Sequence, residues 1–212
     1  MGAPAGPGGR RLIPGRDTTD SGEYLALLVG HPRPGSRTHA VAARTGELLR
    51  QSLAAEQISF PEPVLVDLAV LAPFLLDRGP HGGAGGSAVR IVRQAALLVT
   101  VTPTFRAAPS GLLKFFFDLM PAGGLSDSVA VPLTTAGLAE HQPVVDRSLR
   151  SLLQELRAQV PPAGIGVLES DLARFDDIFG HWWRDQGPCL SSSLRRLRKA
   201  PISRPAKSAA KG

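Results

Sequence analysis

The chain has 212 residues, 43% of them hydrophobic, and a formal net charge of +6, which fits one ordinary domain with a sizeable core. Residues 195–212 contain seven Lys and Arg and no acid. The formal net charge of the remaining residues is therefore about −1, and the excess positive charge belongs to one tail. Aromatic residues are also scarce, at 5%, so the composition argues against a nucleic-acid-binding surface carried by the fold, and nucleic acid is not an expected partner.

Cysteine content and hydropathy exclude further classes of protein, those built on disulfides, on cysteine metal sites or on membrane spans. The single cysteine, Cys189, excludes an internal disulfide framework and a metal site built from several cysteines. No run approaches the roughly 18 apolar residues of a membrane span, and residues 1–22 lack the apolar core of a signal peptide, so we expect a cytoplasmic protein with no membrane contact. Composition further predicts a disordered leader over 1–22, one domain over 23–190 and a basic disordered tail over 191–212.

Five short apolar runs alternate with helix-like stretches along the predicted domain. The runs predict strands over Leu25–Val29, Val64–Leu68, Ala96–Val101, Val129–Leu133 and Gly164–Leu168. Apolar residues at helical spacing predict helices over His39–Leu53, Leu71–Leu76, Ser110–Met120 and Val144–Gln159. Short buried strands interleaved with helices indicate an α/β fold, a flavodoxin-like three-layer sandwich with a five-stranded parallel sheet.

The loop after the first predicted strand, residues 30–38, is the most informative segment. It contains Arg33, Ser36, Arg37 and Thr38 and opens directly into the first predicted helix. Helix-start N–H groups, hydroxyls and guanidinium groups all bind phosphate, so this loop predicts a nucleotide or flavin phosphate site. The alternative is an ordinary turn followed by a helix N-cap.

In a flavodoxin-like fold, ligands bind where strand order reverses, which brings together the loops after strands one, three and four. The first loop reads Gly-x-Pro-Arg-x-x-Ser-x-Thr over 30–38. The third strand leads into Thr-Pro-Thr-Phe-Arg over 102–106 and Ser-Gly-Leu-Leu-Lys over 110–114, with Asp118 and Leu119 near the end of the next helix. The fourth strand leads into Thr-Thr-Ala-Gly over 134–137 and then His141. Together these segments resemble the NADPH-dependent FMN reductases, most closely those that supply reduced flavin to two-component sulfonate monooxygenases.

The resemblance implies roles for the residues of all three loops. The first loop would hold the FMN phosphate, with His31 standing where family members usually carry Ser. The edge of the isoalloxazine ring would meet Pro103, Thr104, Phe105 and Arg106. The pyrimidine end would meet Thr134, Thr135, Ala136 and Gly137, whose small side chains allow a close approach. For Phe105 an ordinary core position remains the alternative.

The activity that the resemblance implies is hydride transfer from C4 of NADPH to N5 of FMN, with the flavin supplying the chemistry and the protein supplying position. No catalytic side chain and no metal ligand is assigned. Arg37 and Arg106 are the candidates to bind the 2′-phosphate of NADPH. Loosely bound FMN would carry electrons to a flavin-dependent monooxygenase, whereas tightly bound FMN would pass them to a small acceptor.

The predicted helix Ser110–Met120 is apolar nearly all round. Such a helix is covered on more than one side, and the related reductases pack the corresponding helix against another subunit, so we expect a homodimer or homotetramer. Lys114, inside this run, is expected to extend to solvent or to form an ion pair.

Departures from the family pattern support a second hypothesis from a different class. They lie at His31, Phe105, Pro109 and Ala136. A flavodoxin-like scaffold with weak or no flavin turnover, acting as a binding or regulatory subunit, would tolerate all four. The sequence assigns no role to the adjacent Trp182 and Trp183.

Overall fold

A computed structural model describes residues 23–76 and 83–199. The strands are β1 (Leu25–Val29), β2 (Val64–Asp67), β3 (Leu97–Pro103), β4 (Val129–Ala136) and β5 (Ile165–Leu168). The helices are α1 (Arg37–Ala55), α2 (Leu68–Leu71), α3 (Gly83–Gln94), α4 (Gly111–Asp118), α5 (Gln142–Glu155) and α6 (Phe175–Lys199), with 3₁₀ segments at Ala72–Phe74, Ala139–His141 and Glu169–Arg174.

The strands form one parallel sheet in the order β2-β1-β3-β4-β5. This order is that of flavodoxin-like folds, so the predicted fold class is confirmed. Alternate strand residues point to opposite faces: Leu27 and Val99 lie in the core under α1 and α6, while Leu28 and Leu98 lie in the core under α3, α4 and α5. Both faces are therefore apolar, which explains why the strands read as continuous apolar runs.

The fourth strand is longer than predicted. It continues through Ala136, and Thr134 and Thr135 pair with Thr102 and Pro103 of β3. The assignment of residues 134–136 to a loop is therefore wrong. Thr is favoured in strands. The strand was predicted from an apolar run, however, and that run stops at Leu133 because the next residue, Thr134, is polar.

The region between β2 and β3 also differs from the prediction. The predicted helix Leu71–Leu76 is instead the end of α2 followed by a 3₁₀ turn, and α3 was not predicted at all. The first turn of α3 is rich in glycine, which has a low helix propensity. Ala88 and Val92 are buried four residues apart, so packing against the sheet stabilises α3.

The last helix corrects the predicted disordered tail. Residues 191–199 form the final turns of α6, so the prediction of disorder is wrong for them. Leu190, Leu194 and Leu197 recur at helical spacing and pack in the core against the sheet. The predicted leader, 1–22, and residues 200–212 of the predicted tail lie outside the described residues.

Several arginines and the two tryptophans of α6 have structural contacts. Arg195 donates to the Glu56 carbonyl oxygen at 2.8 Å and Arg198 to the Ser59 carbonyl oxygen at 3.0 Å, so basic residues of the predicted tail hold the end of α1. Trp182 is buried and donates to the Ala163 carbonyl oxygen at 2.8 Å, and Trp183 stacks on Phe179. Over residues 23–76 and 83–199, no helix has the length and apolar character needed to cross a membrane.

Tyr24, the single tyrosine of the chain, gives a direct readout of core burial. Its hydroxyl donates to the Ile91 carbonyl oxygen at 2.5 Å, and burial raises its pKa to about 12, partly opposed by the positive charge of Arg90. In the unfolded chain the pKa should return to about 10.

We therefore expect the ultraviolet absorbance of the tyrosinate to titrate near pH 12 in the folded protein and near pH 10 in denaturant. Because the unfolded chain loses this proton first, Tyr24 should make the free energy of unfolding fall as pH rises from about 10 to 12. The same midpoint in both states would contradict the buried position of the ring.

Candidate functional site

A cavity of about 300 Å³ opens at the carboxyl ends of the strands. Eight residues predicted from sequence line it: His31, Arg33, Ser36, Arg37, Thr38, Pro103, Phe105 and Thr135. Pro34, Gly35, Glu169 and Leu172 complete the lining. The cavity lies where a flavodoxin-like sheet reverses its strand order, the position at which such folds bind ligands.

The N-terminus of α1 faces this cavity. Ser36 is the N-cap, and its hydroxyl accepts a hydrogen bond from the His39 N–H at 3.2 Å. The N–H groups of Arg37 and Thr38 have no intrahelical acceptor because they belong to the first turn. With 19 residues and no acid in its first turn, α1 presents the positive end of its dipole to a bound anion.

The loop that carries these groups is fixed through Gly30. The Gly30 N–H donates to the Val101 carbonyl oxygen at 2.7 Å, and the Gly30 carbonyl oxygen accepts from the Ser110 hydroxyl. That hydroxyl also accepts from the Leu113 N–H at 3.2 Å, so Ser110 is both the N-cap of α4 and a clamp on the loop. A Cβ on Gly30 would lie 2.8 Å from the Cβ of Leu113, so only glycine fits here without a shift.

A pair of buried hydroxyls joins α1 to β4 beside the cavity. The Oγ1 atoms of Thr38 and Thr135 are 3.1 Å apart, and both residues are buried. One hydroxyl hydrogen forms this bond and the other stays available to a ligand, because each threonine supplies one hydrogen and two lone pairs.

His31 lies buried in the wall of the cavity. Its Nδ1 lies 3.0 Å from the Arg33 backbone nitrogen. The same Nδ1 lies 3.1 Å from the Arg33 carbonyl oxygen, so which of the two contacts is the hydrogen bond depends on the tautomer of the ring.

The loop after β3 contributes an aromatic surface. Phe105 is 43% exposed, and its ring packs edge-on to His31 with the centroids 5.9 Å apart. Phe105 and Ala108 exchange two backbone hydrogen bonds of 3.0 Å around a two-residue turn. The turn residues Arg106 and Ala107 have φ values of 52° and 58°, a left-handed conformation that costs about 1 kcal/mol or more at each non-glycine position. This tight turn follows Phe105 directly, beside the cavity.

The remaining predicted residues do not line the cavity. The Thr104 N–H donates to the Thr135 carbonyl oxygen at 2.8 Å, and the buried Thr104 hydroxyl oxygen has no protein partner among the described residues. Arg106 is exposed at the tip of its turn, Thr134 and Ala136 lie inside β4, and Gly137 follows the strand. For these five residues a binding role stays a prediction.

One charged residue of the cavity, Glu169, was not among the predicted site residues. Glu169 follows β5 directly, and its Oε2 lies 2.5 Å from Nη2 of Arg37. Farther along α1, Arg44 pairs with Asp176 of α6, and this bond holds the pKa of the Asp176 carboxyl below its usual range. The sequence signal for Glu169 was an acid placed immediately after a strand, but its contact with Arg37 depends on the end of β5 lying beside the start of α1.

Known proteins resemble this chain in sequence and in fold. The model of a family described as NADPH-dependent FMN reductase matches residues 24–172. NADH-dependent FMN reductase SfnE of Pseudomonas putida is 29% identical over 151 residues, 64% of this chain and 80% of that protein. An FMN reductase (NADPH) of Pseudomonas putida is 36% identical over 84 residues, 40% of this chain and 43% of that protein. A solved oxidoreductase from Corynebacterium diphtheriae shares the fold, with a TM-score of 0.67 and 24% identity, covering 84% of this chain and 97% of that one.

Gly30→Ala tests the close approach at the start of the loop. We expect the free energy of unfolding to fall by about 1–3 kcal/mol, because the added methyl group overpacks a closed contact with Leu113. Gly111→Ala is the matched control, since a Cβ there meets nothing within 4 Å. Urea denaturation measures both variants, and equal losses would contradict the proposed contact.

Proposed function

Because the chain belongs to the NADPH-dependent FMN reductase family, a family of NAD(P)H-dependent oxidoreductases, we propose that it transfers a hydride from C4 of the nicotinamide to N5 of FMN. The observation that carries the proposal is the cavity itself, which combines the N-terminus of α1 with buried hydroxyls and an aromatic wall. These groups suit a molecule that has a phosphate at one end and a flat ring at the other.

The phosphate end is assigned to the loop after β1. The N–H groups at the start of α1 and the hydroxyls of Ser36 and Thr38 donate hydrogen bonds, and Arg33 and Arg37 supply positive charge. In the tautomer that accepts from the Arg33 N–H at Nδ1, His31 carries its hydrogen on Nε2 and would add one donor. These donors and positive charges are the groups that bind a phosphate dianion.

The ring end is assigned to the loops after β3 and β4. Pro103 and Phe105 offer apolar surface to the ring. Thr104, whose buried hydroxyl has no protein partner among the described residues, would border the ring as the resemblance implies. The exposed Arg106 and the segment 134–137 would border the ring as well. The protein's part in the reaction is to hold both rings in contact and to stabilise developing negative charge.

The preference for NADPH or NADH depends on the charged side chains at the edge of the cavity. One relative is NADH-dependent by name and another is an FMN reductase (NADPH). Arg37 and Arg106 remain the candidates to bind a 2′-phosphate, but Arg37 already pairs with Glu169.

We propose that reduced FMN is delivered to a flavin-dependent monooxygenase in the cytoplasm, where reduced nicotinamide is supplied.

The proposal is tested by titrating the purified protein with FMN under flavin fluorescence, with NADPH and NADH oxidation followed in the same samples. We expect saturable binding together with turnover. No binding at tens of micromolar FMN would overturn the reductase and support the non-catalytic scaffold.

Thr38→Val should raise the Kd for FMN by about tenfold, because it removes a hydroxyl expected to bond a charged phosphate. Thr45→Val is the matched control on the same helix: the Thr45 hydroxyl is buried and donates to the Val41 carbonyl oxygen at 2.7 Å, away from the cavity. A similar rise in Kd for both variants would contradict the assignment of Thr38.

We also propose that α4 forms a subunit interface, in a homodimer or homotetramer. Leu112, Phe115 and Leu119 pack on the core but remain half-exposed. Between them, Lys114 pairs with Asp118 at 2.5 Å, as an ion pair inside this run was expected to do. An apolar face of this kind is normally covered.

Phe115→Asp should therefore convert the assembly to monomers that stay folded, as measured by light scattering and circular dichroism. Leu138→Asp, which charges an exposed apolar residue outside α4, is the control and should leave the mass unchanged. A monomeric wild-type protein would contradict the proposed interface.

A further inference from the structure

The cavity contains one carboxylate among groups that otherwise favour an anion. Of the described residues that line it, Arg33 and Arg37 are cationic and Glu169 is the sole acid. A carboxylate beside a phosphate site opposes binding, because like charges repel. The presence of Glu169 therefore needs an explanation beyond phosphate recognition.

Glu169 is held in place by Arg37. The Oε2 of Glu169 lies 2.5 Å from Nη2 of Arg37, with the side chains 44% and 69% exposed. Glu169 begins the 3₁₀ segment after β5, and Arg37 is the first residue of α1, so the pair connects the last strand to the start of the phosphate loop helix. A pair this exposed contributes little to folding stability.

Carboxylate and phosphate both bind guanidinium through the same N–H donors. A phosphate in the cavity must therefore take Arg37 from Glu169 or share it. Building on the proposed FMN reduction, we infer that Glu169 limits the affinity for the FMN phosphate by competing for Arg37, and so makes FMN an exchangeable substrate. In this role Glu169 acts through Arg37 and is a positioning residue.

The consequence falls mainly on the lifetime of the complex. Weaker retention of the phosphate shortens the residence of FMN, since changes in affinity at one site appear chiefly in the dissociation rate. A reductase that hands reduced flavin to a second enzyme needs this release, whereas one that keeps FMN as a prosthetic group does not.

The molecule contains a matched control for this pair. Arg44 of α1 and Asp176 of α6 form a second pair at the same 2.5 Å separation, with side chains 45% and 58% exposed. Neither residue lines the cavity. Neutralising Asp176 thus changes the net charge as much as neutralising Glu169 does, without releasing a cavity arginine.

The experiment compares the wild type, Glu169→Gln, Asp176→Asn and Arg37→Gln for binding of FMN and of riboflavin, which lacks the phosphate. We expect Glu169→Gln to lower the Kd for FMN by about three- to tenfold, the size expected from one nearby surface charge, and to slow FMN release in stopped flow. Arg37→Gln should raise this Kd, and Asp176→Asn should leave it unchanged. Riboflavin binding should be the same in Glu169→Gln and the wild type.

Two results would overturn the inference. One is an unchanged or higher Kd for FMN in Glu169→Gln, and the other is an equal gain in Asp176→Asn or in riboflavin binding. A wild-type protein that binds neither flavin overturns the proposed function and this inference together. A wild type that binds and reduces FMN, with no effect of Glu169→Gln, overturns the inference alone.

Discussion

The contact between Gly30 and the start of α4 sets the geometry of the site. Two backbone hydrogen bonds hold the loop at this residue, one to β3 and one to the hydroxyl that caps α4. The missing side chain lets α4 approach to van der Waals distance. Because the loop leaves β1 in this fixed direction, α1 begins with its free N–H groups at the carboxyl edge of the sheet. The anion-binding capacity of the cavity follows from that placement more than from any single charged side chain.

Much of the site is built from backbone and hydroxyl groups. The Thr38 and Thr135 pair joins the first helix to the fourth strand, and the turn at Arg106 and Ala107 follows Phe105, whose ring packs against His31. Such groups are held by the fold and need little reorganisation when charge develops on a ligand. Arg37 and Glu169, by contrast, are exposed side chains on the rim, where an ionic bond can exchange without disturbing the scaffold.

The strands of the sheet and most of the residues that line the cavity could be predicted from the sequence. A parallel sheet covered on both faces needs continuous apolar strands, and β1 and β3 have them. The fold then dictates which loops meet. The features that were not predicted depend on packing between distant segments. Thr134 and Thr135 extend β4 because they pair with β3, and the end of α6 is helical because Leu194 packs in the core. Glu169 meets Arg37 only because the end of β5 lies beside the start of α1 in the folded protein.

The position of α6 has a consequence for how the protein is made. The face of the sheet that buries Leu27 and Val99 is covered by α1 and by α6, and α6 ends at Lys199. During synthesis all five strands precede α6, so the part of that face that α6 covers is apolar and exposed until residues 175–199 have been made. A nascent chain that stops before α6 therefore presents an apolar sheet surface that favours aggregation.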